Sequence, residues 1–181
     1  MGLGNPGTRY ENTRHNIGFL VLQKVLAPEF HLKFKKNSWN GLSAETKVGD
    51  EDVHFLLPQT YMNLSASAVA PYLKHFDIPL PHILVVYDDL DLPFGQLRFR
   101  ALGSSGGHQG VESFLETLRL DGFHRLRIGI GRPGPGQKAA DYVLEEFSGE
   151  EKKVLPDLLR RGGELVTAWL AGGSKQVCDI L

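Results

Sequence analysis

Four polar residues fall where a fold could bring them together: Asn5, His15, Asn63 and Asp88. Chemically they form a set. A carboxylate can orient an imidazole and raise its basicity, leaving the second ring nitrogen to activate water. Uncharged amides can hold a substrate carbonyl and the oxyanion that develops on it. The single cysteine, Cys178, sits near the C-terminus and offers no plausible nucleophile. Neither a Gly-x-Ser-x-Gly elbow nor a His-Glu-x-x-His metal spacing occurs. The residue types therefore point to metal-free, water-mediated hydrolysis of an acyl bond. Taken alone, the segment around His15 is equally compatible with a surface turn and a capping histidine.

The elements that must position these groups are legible in outline. Gly4-Asn5-Pro6-Gly7 is turn chemistry, since Pro6 fixes its own φ and Gly7 can take a positive one. An apolar-periodic run from Ile17 to Leu26 predicts a helix that begins near His15 and ends before Pro28. Lys33 to Trp39 reads as a polar connection. Leu42 to Thr46 alternates like an edge strand, and Val53 to Leu57 reads as a strand stopped by Pro58. Pro58 to Ser65, which carries Asn63, leads into a helix whose apolar face includes Val69, Tyr72, Leu73 and Phe76. Ile83 to Tyr87 is an unbroken apolar run, the mark of a strand buried on both faces, and it runs straight into Asp88. Open α/β sheets place their sites at such strand ends.

Gly95 to Phe99 predicts another strand, and glycine-rich Gly103 to Gly110 opens a helix carrying Val111, Phe114, Leu115 and Leu118. Leu126 to Gly131 reads as a strand with glycines where backbone or ligand comes close. Ser148-Gly149-Glu150-Glu151 is a capping box for a C-terminal helix. The expectation is α/β: residues 1–181 as a single domain, a twisted mixed and largely parallel sheet flanked by helices. Two glycine-rich stretches are decoys. Gly2 to Gly7 matches G-x-G-x-x-G without the preceding strand or the helix a dinucleotide needs, and Gly131 to Gly136 lacks the Lys-Ser/Thr of a phosphate loop.

The formal net charge of −1 hides an uneven distribution. Residues 95–140 carry a net +4 and residues 141–165 a net −3. A basic middle hints at an anionic partner for one face. One cysteine leaves no internal disulfide and fits a reducing cytosol, and no apolar run is long enough to span a membrane. A cytoplasmic protein without membrane contact is expected.

Five motifs, standing in order over nearly the whole chain, resemble the bacterial peptidyl-tRNA hydrolase family. They are GLGNPGTRYENTRHNIGF at 2–19, PQTYMNLSASAV at 58–69, ILVVYDDLDLPFGQLRFR at 83–100, GSSGGHQG at 103–110 and FHRLRIGIGRPG at 123–134. The resemblance implies a monomeric, cofactor-free α/β enzyme that cleaves the ester joining a peptide to tRNA, recycling tRNA released from ribosomes. It implies His15 as catalytic base, Asp88 as its orienting partner, and Asn5 and Asn63 as amides that hold the peptide and stabilise the reacting carbonyl. Tyr10, Met62, His108 and Gln109 would contact substrate, while Arg100 and Arg127 would clamp the tRNA 5′-phosphate. The alternative is a non-catalytic RNA-binding relative of the same fold, which would not need the His15, Asp88, Asn5 and Asn63 set.

Three positions depart from the family pattern. Gln109 stands where Asn is usual, Ala66 where Gly is usual, and only Met1 precedes Gly2 where relatives carry a longer apolar strand. A late start or a shortened central strand is expected to tell on stability more than on chemistry.

Overall fold

A computed structural model describes residues 1–118 and 122–178. Arg119 and Asp121, two of the charges behind the basic middle segment, lie outside the described residues, as does the Leu118 side chain. Among the described residues the strands form two three-stranded sheets. In one, β1 (Lys35–Lys36), β2 (Gly41–Val48) and β3 (Glu51–Pro58) pair antiparallel. In the other, β6 (His124–Gly129) lies between β4 (Leu84–Asp89) and β5 (Leu97–Arg100), parallel to the first and antiparallel to the second. The pairing is mixed, as expected, and among the described residues parallel pairing is found in β4–β6 and the Gly2–Val86 bridge. The lysines read as a polar connection form an edge strand, because β2 offers them a partner that sequence periodicity does not reveal.

Met1 to Leu3 join the two sheets. Gly2 N–H donates to Leu56 O at 3.1 Å, Leu3 N–H donates to Val86 O at 3.0 Å, and Val86 N–H donates to Met1 O at 2.9 Å. Gly2 and Val86 form one parallel bridge. Beside it, β3 and β4 flank a cleft of about 740 Å³.

Buried β4 side chains alternate between two cores. Leu84 and Val86 join Ile17, Leu20, Leu126, Ile128, Leu158 and Val166 on one face. Val85 and Tyr87 join Leu3, Val69, Tyr72, Val111 and Phe114 on the other. The unbroken apolar run of β4 is explained by this two-sided burial.

The first helical stretch is less regular than its periodicity predicts. A 3-10 turn (Arg14–Asn16) carries His15, followed by α1 (Ile17–Val21), a π turn (Leu22–Leu26) and α2 (Ala27–Glu29). The helix therefore passes through Pro28 where it was expected to stop. The π turn widens the ladder just ahead of the ring, where the regular i→i−4 pattern would clash. Gly18 lets α1 reach β4, since a Cβ there would lie 2.2 Å from Val86 O.

The remaining helices are α3 (Ser65–His75), α4 (Gln109–Leu118), α5 (Ala139–Tyr142) and α6 (Gly149–Cys178). Helix α6 begins with the expected capping box: Ser148 N–H donates to Glu151 Oε2 at 2.6 Å and Glu151 N–H to Ser148 Oγ at 3.2 Å. It is broken at Gly172 and Gly173.

Candidate active site

The C-terminal end of β4 carries Asp88 into a cleft of about 470 Å³. Its walls include Asn5, Tyr10, His15, Met62, Asn63 and Gln109. The chain thus brings the predicted polar set to one strand end, from segments far apart in sequence.

His15 is 7% exposed, and its Nδ1 lies 2.8 Å from Asp88 Oδ1. The carboxylate accepts, so the ring carries its proton on Nδ1 and presents a bare Nε2. Nε2 has no hydrogen-bond partner among the described residues. The backbone around the ring is tied to the 139–147 segment: His15 N–H donates to Val143 O at 2.8 Å and Arg14 N–H to Glu145 O at 3.0 Å. Arg14 is buried, stacks 4.1 Å over Tyr142 and pairs with Glu151 at 2.8 Å. That anchor fixes the turn from which His15 projects.

Asn5 is held at three points. Asn16 accepts from Asn5 N–H and donates to Asn5 O, both at 2.9 Å, and Met62 N–H donates to Asn5 Oδ1 at 2.8 Å. Its carboxamide oxygen is therefore occupied, and the NH₂ end is the part available to the cleft. Asn63 sits exposed on the 3-10 turn Met62–Leu64, while Met62 itself is buried at 2% exposure. Met62 contributes to the floor and Asn63 to the rim.

Asp88 is 2% exposed, and its Oδ1 also lies 3.0 Å from His108 Nε2. Burial works to raise its pKa. The neighbouring rings of His15 and His108 outweigh burial and hold the carboxyl below the usual carboxylate range. His108 reaches Asp88 because Gly106 and Gly107, at φ +60° and +77°, turn the loop into α4. Burial, the largest influence on His108, pushes its pKa below the ordinary value. His108, expected to contact substrate, has both ring nitrogens engaged within the protein, because Val111 N–H donates to Nδ1 at 3.3 Å.

His15, Asp88 and His108 together offer a two-histidine, one-carboxylate ligand set within 4.8 Å. A metal on His108 Nε2 would require the proton on Nδ1, where it would face the Val111 N–H. Two donors would then oppose each other, so the local hydrogen bonding disfavours a cation there.

Arg100 and Arg127 lie apart from this centre, on β5 and β6. Arg98 pairs with Arg127 and Arg100 with Arg125 in register, so all four arginines share one sheet face. Arg125 is buried at 1% exposure and donates to Phe123 O and Gly103 O. Arg127 pairs through Nε with Asp89, the neighbour of Asp88, so it is not a free cation. Arg98 and Arg100 are exposed. Sequence reasoning did not single out Asn16, Tyr87, or the wall formed by Ala139, Ala140, Val143 and Leu144. The only sequence signal for that wall is apolar residues within a polar stretch.

Fold and site together define a mixed-sheet α/β protein with an imidazole–carboxylate pair in an amide-lined cleft. Residues 1–180 match the family model described as peptidyl-tRNA hydrolase. The chain is 46% identical over 179 residues to a peptidyl-tRNA hydrolase from Desulfitobacterium hafniense (strain Y51), covering 99% of this chain and 96% of that one. It is 43% identical to the peptidyl-tRNA hydrolase of Bacillus subtilis (strain 168), covering 99% and 94%. A crystal structure of peptidyl-tRNA hydrolase from Acinetobacter baumannii superposes with a TM-score of 0.91 at 34% identity, covering 98% of this chain and 90% of that one.

The chain belongs to the peptidyl-tRNA hydrolase family, and it hydrolyses the ester bond between peptide and tRNA. The alternative of a non-catalytic RNA-binding relative finds no support. No helix among the described residues is long and apolar enough to cross a membrane.

Proposed function

We propose that His15 is the general base of this hydrolysis and that the reaction proceeds without a metal or other cofactor. Its Nε2 takes a proton from water as the water attacks the ester carbonyl. Asp88 holds Nδ1–H and stabilises the imidazolium that forms. The NH₂ of Asn5 and the amide of Asn63 donate to the oxyanion and to the peptide backbone. Tyr10 and Met62 border the peptide, and Gln109 reaches it from the start of α4. His15 then returns its proton to the leaving ribose oxygen. The observation that carries this reading is the 2.8 Å contact from His15 Nδ1 to Asp88 Oδ1, with Nε2 left open to the cleft.

Arg100 and Arg127 are assigned to the tRNA 5′-phosphate. A guanidinium fork suits that group, and the Arg127–Asp89 pair holds one of the two in place. The protein is read as a single-domain cytoplasmic monomer. His15→Ala tests the assignment directly. Single-turnover hydrolysis of peptidyl-tRNA should fall by about a thousandfold or more, while tRNA retention on filters stays near wild type. Near-wild-type turnover would remove His15 as the base. A free N-acyl amino acid ester should be a far poorer substrate for the native protein, because it engages none of the basic face.

A further inference from the structure

His108 has a different standing from the residues that face the substrate. Its ring is 9% exposed and stands 5.0 Å, centroid to centroid, from the His15 ring. We infer that His108 is a positioning residue: a neutral imidazole, locked in one tautomer by Val111 N–H, that donates from Nε2 to the same Asp88 oxygen that serves His15. The inference rests on the proposed role of His15 as base.

The lock follows from donor and acceptor counting. A backbone N–H can only donate, so His108 Nδ1 must be the bare nitrogen. The ring proton then sits on Nε2 and points at Asp88 Oδ1, 3.0 Å away. Protonation of Nδ1 would set two donors against each other, and burial acts in the same direction by disfavouring the charged ring. His108 is therefore excluded from proton transfer.

Its work is done on the carboxylate. Oδ1 accepts two N–H groups, one from each ring, which fixes the Asp88 side chain and divides its negative charge between them. Asp88 is consequently held from two sides, with Oδ1 presented to His15 Nδ1. His108 thus keeps the acceptor of His15 Nδ1–H in place, and through it the direction in which Nε2 faces the cleft.

The other charges near this group are few. Asp89 lies next to Asp88 and acts on His108. Tyr87 packs on the His108 ring at 4.8 Å and feels Arg127 and Arg125 from β6. Arg14, the chain neighbour of His15, is neutralised by Glu145 and Glu151.

Two measurements test this. In protein labelled with ¹⁵N in its imidazoles, long-range proton–nitrogen spectra from pH 5.5 to 8.5 should show His108 with Nε2 protonated and Nδ1 bare throughout. Separately, kcat and KM on peptidyl-tRNA are measured for His108→Leu and His108→Gln. His108→Leu should lose about tenfold, the scale of one charge-assisted hydrogen bond. The loss should fall on kcat, with KM changed by less than about twofold, because His108 touches Asp88 and not the substrate. His108→Gln, whose amide N–H reaches the Nε2 position, should recover most of the lost kcat.

An Nδ1-protonated or charged His108 at neutral pH would overturn the inference, as would a wild-type kcat in His108→Leu. If His108→Leu fails to fold, the spectra of the unaltered protein decide alone. Should His15→Ala remain active, the reading of His15 fails while the His108 tautomer is still judged by its own spectrum.

Discussion

Asp88→Asn is the sharpest test of how the charge at the end of β4 acts. Oδ1 of Asp88 accepts from both His15 and His108, at 2.8 and 3.0 Å. A carboxamide that turns its NH₂ toward those rings would face two donors, so its oxygen must take the Oδ1 position. The His15 tautomer then survives and only the charge is lost. At about 4 Å between charge centres and an effective dielectric of about 20, the carboxylate favours the imidazolium by about 4 kcal/mol. The amide dipole recovers part of this through its own hydrogen bond, about half the strength of a charge-assisted one. A net loss of about 2–4 kcal/mol corresponds to a drop in kcat of about thirtyfold to a thousandfold. Single-turnover hydrolysis gives the rate, and KM should change little because Asp88 is buried beneath the ring. A loss under about threefold would refute the electrostatic role. A loss as complete as that of His15→Ala would show that the tautomer had been lost as well.

Three further outcomes follow from the same geometry. Arg100→Ala should weaken tRNA binding and reduce the salt slope of log K by about one, measured by filter binding across salt series; an unchanged slope would make the exposed guanidinium a bystander. The Asp88 carboxyl is held below its ordinary range, so the stability it lends is complete above the unfolded value of about 3.9 and is lost as pH falls through and below that value. Urea unfolding between pH 6 and pH 3 should therefore show a smaller pH-dependent loss for Asp88→Asn than for the native chain, and parallel curves would contradict the assignment. Gly18→Ala would place a Cβ 2.2 Å from Val86 O and should cost about 3 kcal/mol of unfolding free energy, whereas a cost below about 1 kcal/mol would mean that α1 and β4 separate easily.

The sequence made β4 and its terminal carboxylates plain because the signal is local: four consecutive apolar residues, Leu84 to Tyr87, run straight into the two carboxylates that end the strand. The cap of α6 was equally local, with donor and acceptor three residues apart. What escaped was pairing at long range. No periodicity announces that Lys35–Lys36 has a strand partner, or that Gly2 bonds to Leu56 and Leu3 to Val86. The helix end was misplaced because Pro28 was judged by the rule for regular ladders, whereas the preceding π turn removes the clash. In the site, His15, Asp88, Asn5 and Asn63 were visible by residue type and by family resemblance. The clamp of Asn16 on Asn5 and of Val111 on His108 was not, since either residue would look ordinary at its position.

Those clamps also separate polar atoms open to the cleft from polar atoms the protein has already used. Asn5 spends its oxygen on Met62 and keeps its NH₂ end open. His15 spends Nδ1 on Asp88 and keeps Nε2 open. His108 spends both nitrogens, on Asp88 and Val111, and keeps no ring nitrogen free. Arg127 spends Nε on Asp89 and is only 22% exposed, while Arg98 on the paired strand is exposed. A polar side chain in a cleft can touch a ligand only with the atoms the protein has not already used. By that criterion His108 and Asp88 differ from His15 and Asn5, although all four border the same cavity. Residue type places a histidine in an active site, but the partners of its two nitrogens determine whether it can do chemistry there.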